Sequence, residues 1–208
     1  MPEIETKGVP LPEKVEGDQK DIVAKEETGS IEEAQQLFGV AKKRLLNVNE
    51  WDKICGTASA VFRLTDESGR EVQGEPKVGF HFKIDVPGPG SKAGEGFDWV
   101  KVEAIEEKQD AAEDREFILV RVRPTDNPTT TNDDVAHFFS DKATSNFLVL
   151  REKMVVTAAV LGRNEVPNTA ATESFIDKIR NAIVGTGAVA GMSNPQWKSL
   201  VSGVLGKG

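Results

Sequence analysis

An alternating stretch near the middle of the chain constrains the fold more than any other feature. Val78, Phe80, Phe82, Ile84 and Val86 recur at every second position, with small or polar residues between them. Successive side chains of a strand point to opposite faces of a sheet, so this pattern predicts a strand with one buried face. We expect the rest of the chain to pack around this strand.

A glycine-rich segment follows the predicted strand. Pro87 and Pro89 lack the amide hydrogen that a sheet ladder needs, and four glycines fall within residues 88–96. A second strand is expected over residues 97–102. The segment lacks the GxxxxGK[ST] spacing of phosphate-binding loops, and no helix start follows it. We therefore interpret residues 87–96 as a hairpin loop that can serve as a lid or a partner contact.

Charge and cysteine content narrow the class of protein. The 208 residues carry a formal net charge of −8, which argues against nucleic acid or an anionic membrane as a partner. No run approaches the roughly 18 apolar residues that a membrane span needs, and the first residues lack the apolar core of a signal peptide. Cys55, the single cysteine, has no partner for an intrachain disulfide. These features predict a cytoplasmic protein.

The first 29 residues differ in composition from the rest. They carry eight acids and four lysines, with almost no large apolar side chains. Such a segment buries too little surface to offset its ordering entropy, which predicts a disordered acidic tail over residues 1–29 and a single α+β domain over residues 30–208. We interpret the tail as a solubilising leader, with a partner-binding arm as the alternative.

Helical patterns stand at both ends of the predicted domain. Ser30 and Glu33 fit a capping box, and an apolar stripe of helical spacing follows over about four turns. Asn49 is expected to cap a short second helix that holds Trp51. Near the carboxyl end, one helix is predicted over residues 169–184 and another from Asn194, with Trp197 on its apolar stripe.

The remaining apolar runs predict strands over residues 58–65, 117–123, 147–150 and 154–161, with loops at 106–116 and 124–145 and a turn at 162–168. Together with the central pair, they give an α+β fold: a curved antiparallel sheet or half-open barrel of about six strands, packed against N-terminal and C-terminal helices. In element order alone, this arrangement resembles START-like lipid-carrier domains, although their usual first strand has no counterpart among the predicted elements.

Few residues offer catalytic or metal chemistry. The chain has two histidines and no GxSxG motif, and Cys55 lies in an apolar helical setting typical of a packed thiol. His81 and Asp85 share a strand face, but Lys83 between them opposes a cation. Asp134 and His137 share a helical face only as a weak signal. We predict no catalytic residues, no metal site and no cofactor.

Six residues are the candidate contacts for a ligand or partner: Trp99, Asp98, Arg163, Asn164, Glu165 and His137. The polar group at 163–165 is interpreted as a turn at a strand end, where side chains can face a ligand, with capping of the next helix as the alternative. For Trp99, packing in the core is the favoured interpretation and a ligand contact the alternative, because large aromatic side chains dominate the energetics of cores.

Three hypotheses of function follow. Many inward apolar strand positions, with little catalytic chemistry, favour a non-enzymatic binding domain that holds a small apolar ligand between the sheet and the C-terminal helices. The first alternative is a scaffold or assembly component whose tail and 87–96 loop contact a protein partner. The second is a hydrolase or isomerase that uses His137 with Asp134, or Arg163 with Glu165. The sequence leaves the oligomeric state open.

Overall fold

The computed structural model describes residues 4–55, 60–85, 97–130, 142–165 and 194–207. The strands are β1 (Asp18–Glu27), β2 (Val61–Thr65), β3 (His81–Asp85), β4 (Asp98–Asp110), β5 (Arg115–Pro124), β6 (Thr144–Glu152) and β7 (Val155–Glu165). The helices are α1 (Ile31–Leu46), a 3-10 turn (Val48–Glu50), α2 (Trp51–Cys55) and α3 (Asn194–Val204). All seven strands form one antiparallel sheet in the order β1-β7-β6-β5-β4-β3-β2, open at its β1 and β2 edges. The predicted fold class is confirmed.

Helix α1 begins where its capping residues predict. The Ser30 hydroxyl accepts a hydrogen bond from the Glu33 N–H at 3.2 Å, and the Glu33 carboxylate accepts one from the Gly29 N–H at 2.8 Å. These bonds satisfy backbone donors that have no partner inside the helix. The predicted apolar stripe is buried from Ala34 onwards, whereas its first residue, Ile31, is exposed.

Asn49 does not cap α2, contrary to the sequence prediction. Its side-chain oxygen accepts a hydrogen bond from the Leu64 N–H at 2.8 Å, and its amide nitrogen donates to the Val72 carbonyl at 2.9 Å. The same chemistry that suits a cap, a short side chain with one donor and one acceptor end, is used here to join the 3-10 turn to the edge strand β2. The predicted short helix itself is present and buries Trp51.

The predicted disordered tail over residues 1–29 is corrected by the structure. Asp18–Glu27 is strand β1, which pairs along its length with β7 and buries Ile22. At an edge of the sheet, one side of a strand faces solvent, so its many charged residues are compatible with pairing. The first strand that the sequence prediction lacked is therefore present. That residues 30–208 form a single domain stays a prediction.

The structure also places several boundaries of strands and loops at residues other than those predicted. The predicted loop at 106–116 lies mostly in the β4–β5 hairpin, and the turn predicted from Gly162 starts as the last part of β7. Val78 is 58% exposed in a turn before β3 and Phe80 is half-buried, whereas Phe82 and Ile84 are buried as predicted. His81, predicted on the solvent face, is buried on the opposite face of the sheet from these two residues. The predicted glycine-rich loop 87–96, the helical turn around 134–139 and the helix over 169–184 lie outside the described residues.

One face of the sheet, here called the helix face, packs against the three helices. Five aromatic rings fill the space between the sheet and α3, with centroids of contacting pairs 4.9 to 6.4 Å apart: Trp51, Phe62, Phe82, Phe147 and Trp197. Such separations are those of rings in direct contact. The volume beneath α3 where a ligand was predicted is therefore occupied by side chains.

The opposite face, here called the outer face, is covered by the residues predicted to be a tail. Residues 4–16, here called the strap, place Val9, Ile4 and Leu11 against a second apolar cluster. The sheet contributes to this cluster Phe117, Leu119, Leu148, Leu150, Ala159 and Leu161. Within the described ranges, no helix is long and apolar enough to cross a membrane.

Candidate functional site

The structure separates the predicted site residues into two groups. Asp98 and Trp99 begin β4, whereas Arg163, Asn164 and Glu165 end β7, and β5 and β6 lie between these strands. His137 lies outside the described residues. Because two strands separate them, the two groups of residues do not form one site.

The side chains of Arg163 and Asn164 bind residues of β1 and of the strap. The Arg163 guanidinium pairs with the Asp21 carboxylate on β1 and donates to the Gly162 carbonyl at 2.7 Å. The Asn164 side chain accepts from the Val15 N–H at 2.8 Å and donates to the Glu13 carbonyl at 3.1 Å. Asn164 also has a φ of +56°, a region that asparagine tolerates better than most residues. Both side chains attach β1 and the strap to the end of β7.

Glu165 takes a different position, above the helix face. Its carboxylate sits so close to Gly162 that a side chain at residue 162 would overlap it. Burial raises the pKa of Glu165 to about 7, and the neighbouring charge of Lys20 opposes that rise. Burial also lowers the pKa of Lys20, which pairs with Gly162 across the β1–β7 ladder. This end of the helix face therefore carries titratable groups only partly separated from water.

Asp98 lies on the same face at the β4 side of the sheet. It stands opposite the buried Ile84 of β3 and is only 7% exposed. Burial raises its pKa well above the ordinary value, which favours the neutral, protonated carboxyl over the charged carboxylate. Its Oδ1 atom is buried and has no hydrogen-bond partner among the residues that the structure describes. A buried polar atom that lacks a partner costs free energy, and such atoms in native proteins mark strain or a missing ligand contact.

Trp99 points the other way, to the outer face, because it pairs with Lys83. It is 2% exposed, and its ring contacts that of His81 with centroids 6.5 Å apart. Its indole nitrogen is buried, with no hydrogen-bond partner within the described ranges. Burial lowers the pKa of His81. In the described part of the chain, no group of three histidine, cysteine or acidic side chains is arranged to hold a metal ion.

A cleft between α1, α2 and α3 went unnoticed in the sequence. It has a volume of about 610 Å³, and its lining includes Arg44, Lys53, Lys198 and Lys207. We call it the cationic cleft. No local motif marks it, because its cations come from the end of α1, from α2 and from both ends of the C-terminal segment. Cys55 also lines it, and burial, helped by the Asp52 charge, raises the pKa of this thiol to about 12.

Comparison with known proteins gives a likeness of architecture only. No family model and no curated protein matches this sequence. Norcoclaurine synthase from Thalictrum flavum, solved with dopamine and hydroxybenzaldehyde, is similar over 94% of both chains at 11% identity, with a TM-score of 0.44. Ara h 8.0201 matches 90% of this chain and 99% of its own at 10% identity and a TM-score of 0.35. For major latex-like protein 151 from Panax ginseng, the shares are 81% and 95%, with 12% identity and a TM-score of 0.30.

Proposed function

We propose that this chain is a non-enzymatic binding domain for a small, mainly apolar molecule. The ligand would lie on the helix face at the first residue of β4, where it would contact the Asp98 carboxyl. The observation that carries the proposal is the buried Oδ1 of Asp98, for which the described part of the chain supplies no hydrogen-bond partner. A ligand oxygen placed there would satisfy this carboxyl and remove the cost of leaving it unpaired.

The chemistry of Asp98 selects the kind of ligand. A protonated carboxyl has one O–H donor and an acceptor oxygen, so it suits a carbonyl or hydroxyl group. Ile84 lies opposite Asp98, and Val100, the next residue of β4 on that face, is 5% exposed. Apolar neighbours favour an uncharged molecule, because burial of a charge without a partner costs far more than one hydrogen bond returns. The expected ligand is therefore apolar, with one oxygen at the carboxyl.

The alternatives find less support in the described contacts. A hydrolase or isomerase that uses Arg163 with Glu165 needs these groups to act on one substrate, but the Arg163 guanidinium is paired with Asp21. A scaffold that recruits partners through its tail needs a free segment, but the strap already lies on the outer face. A hydrolase or isomerase that uses His137 with Asp134 stays a prediction, as does a scaffold that contacts its partner through the 87–96 loop.

Titration with Nile red, an uncharged apolar dye that has a carbonyl oxygen, tests the proposal. The wild-type protein should bind the dye saturably. Asp98→Leu should bind it about 5- to 10-fold more weakly, since one hydrogen bond is worth roughly 1 to 1.5 kcal/mol. Asp98→Asn keeps a donor and should bind within about 3-fold of wild type, because an amide N–H can still reach the carbonyl.

Stability separates a binding role from a structural one. Leucine has a shape close to that of aspartate and leaves no unpaired polar atom, so Asp98→Leu should unfold at a higher urea concentration than wild type. Asp85→Asn, at the exposed end of β3, is the matched control and should alter neither quantity. Failure of the wild type to bind Nile red saturably, or equal binding by Asp98→Leu, would overturn the proposal.

A further inference from the structure

We infer that the cationic cleft is a second binding site, for a small molecule that carries a phosphate group. This site is separate from the Asp98 end of the helix face and takes a ligand of opposite character. The cleft volume of about 610 Å³ falls within the roughly 300 to 1,000 Å³ typical of small-molecule pockets. Its size therefore suits a metabolite rather than a single ion.

The lining of the cleft is positively charged, whereas the whole chain is negatively charged. Of the ten lining residues that belong to the described ranges, four are cations and none is acidic, although the chain has a net charge of −8. Two cations are neutralised from outside the cleft: Lys53 pairs with Glu50, and Lys207 pairs with Glu26. Positive charge concentrated in a concave site raises the local concentration of anions.

Arg44 and Lys198 remain without a carboxylate partner among the described residues. The Arg44 Nη1 donates to the Gly203 and Val204 carbonyls, at 3.4 and 3.3 Å, which fixes the guanidinium at the end of α3. A guanidinium has five N–H donors, so this contact leaves others for ligand oxygens. An oriented guanidinium suits phosphate because it can donate two parallel hydrogen bonds.

Hydroxyl groups and a rigid floor complete the cleft. Ser199 and Ser202 line it beside Lys198, and their hydroxyls can donate to the several acceptor oxygens of a phosphate. At Gly203, α3 approaches α2 so closely that any side chain would overlap the Ile54 carbonyl, which holds the two helices at a fixed spacing.

Asp52 lies beside the cleft but is not among its lining residues. Its carboxylate, whose charge helps to raise the pKa of Cys55, lies 3.9 Å from the Arg63 guanidinium. The Cys55 thiol keeps its proton at neutral pH and adds no negative charge. A nucleic acid is a poorer fit, because its phosphates need a basic surface that extends beyond one pocket. These features favour one phosphate-bearing molecule of metabolite size.

Titration of the full chain with sodium pyrophosphate, followed by amide chemical shifts at constant ionic strength, tests the inference. We expect saturable shifts confined to α1, α2 and α3. Lys198→Gln should weaken binding at least 3-fold, and Arg44→Gln with Lys198→Gln at least 10-fold. Lys101→Gln, which removes an exposed lysine of β4, is the matched control and should change the affinity less than 2-fold.

The single variant keeps the test valid if the double variant folds poorly, because Lys198 holds no other element in place. A parallel titration with adenosine monophosphate distinguishes a free phosphate from a nucleotide: tighter binding than pyrophosphate would indicate that Ile54 and Cys55 contact an apolar part of the ligand. The inference is wrong if neither compound binds saturably, or if Lys198→Gln and Lys101→Gln bind pyrophosphate equally well. Nile red binding does not depend on these cations, so the two proposals fail independently.

Discussion

The two faces of the sheet are covered by different kinds of structure. On the helix face, regular helices bring Trp51 and Trp197 into contact with rings of the strands. On the outer face, the cover is the strap, which forms neither helix nor strand and is attached through side chains such as Arg121 and Asn164. A cover with few apolar contacts can open locally while the sheet stays folded. The comparison therefore predicts that the helices stay packed on the helix face, whereas the strap can leave the outer face.

The largest effect should come from the ring that lies centrally on the helix face. Phe147→Ala removes contacts with Trp51 and Trp197, at centroid distances of 4.9 and 5.6 Å, and should cost about 3 to 5 kcal/mol of unfolding free energy. Its neighbour Leu148 points to the outer face and provides the matched control. Leu148→Ala should cost about 2 to 3 kcal/mol, because the strap can shift towards the space left behind. Equal losses in urea denaturation would contradict the comparison.

Deletion of residues 1–16 should have the next largest effect. It uncovers the outer-face cluster that contains Phe117 and Leu148 and removes the buried Val9. The lost apolar burial is partly offset because the strap no longer has to be ordered, so we expect a net loss of about 2 to 3 kcal/mol. An apolar dye such as anilinonaphthalene sulfonate should become more fluorescent.

Deletion of residues 1–3 alone is the control for this truncation and should leave both stability and dye fluorescence unchanged. If the truncated protein is as stable as the full chain and binds no more dye, the strap is not the cover of the outer face.

A smaller effect should follow from the titration of Glu165 on the helix face. Its pKa is raised to about 7, so the folded protein binds this proton more tightly than the unfolded chain does. The contribution of Glu165 to stability should therefore be fully present below about pH 4.5 and be lost as the pH rises from there through 7. Glu165→Gln should match wild type at pH 5 and exceed it by about 1 to 2 kcal/mol at pH 8. Urea midpoints at both pH values check this, and equal differences at the two would refute it.

The smallest effect should come from Asn164, which anchors the strap. Asn164→Gly keeps a residue that accepts a positive φ but removes the hydrogen bonds to Val15 and Glu13, at a cost of about 1 kcal/mol. In the chain that lacks residues 1–16, the same substitution should cost nothing measurable, because its partners are already gone. A double-mutant cycle measures the difference. Additive costs would mean that Asn164 acts within β7 rather than on the strap.

The sequence predicted those elements whose signals are local. Helix α1 carries its cap and its stripe within one segment, and the terminal stripe that holds Trp197 predicted α3 equally well. Strand β1 was missed because its stability comes from pairing with β7, more than a hundred residues away. The polar half of the β4–β5 hairpin was missed for the same reason: its charged side chains resemble a loop, and only the ladder makes it extended.

The candidate site residues show the same difference between local signals and long-range contacts. Asp98 was correctly placed on a strand, but its burial depends on neighbours that no local pattern identifies. Asn164 and Arg163 were chosen as polar turn residues, whereas the strap gives Asn164 a partner within the chain and β1 gives Arg163 one. The four cations of the cleft lie between positions 44 and 207 and meet only when the helices pack. Cytoplasmic location and the exclusion of nucleic-acid partners stay predictions.

The path of the strap also decides how the protein can be handled in experiments. Lys7 pairs with Glu113, and Arg115 donates to the Glu5 carbonyl, so the chain enters the molecule beside the β4–β5 turn. A fusion partner or surface anchor joined ahead of Ile4 would emerge on the outer side, away from the three helices. Immobilisation through that end would leave the cationic cleft directed towards the flowing solution, so the phosphate assay can be run on a sensor.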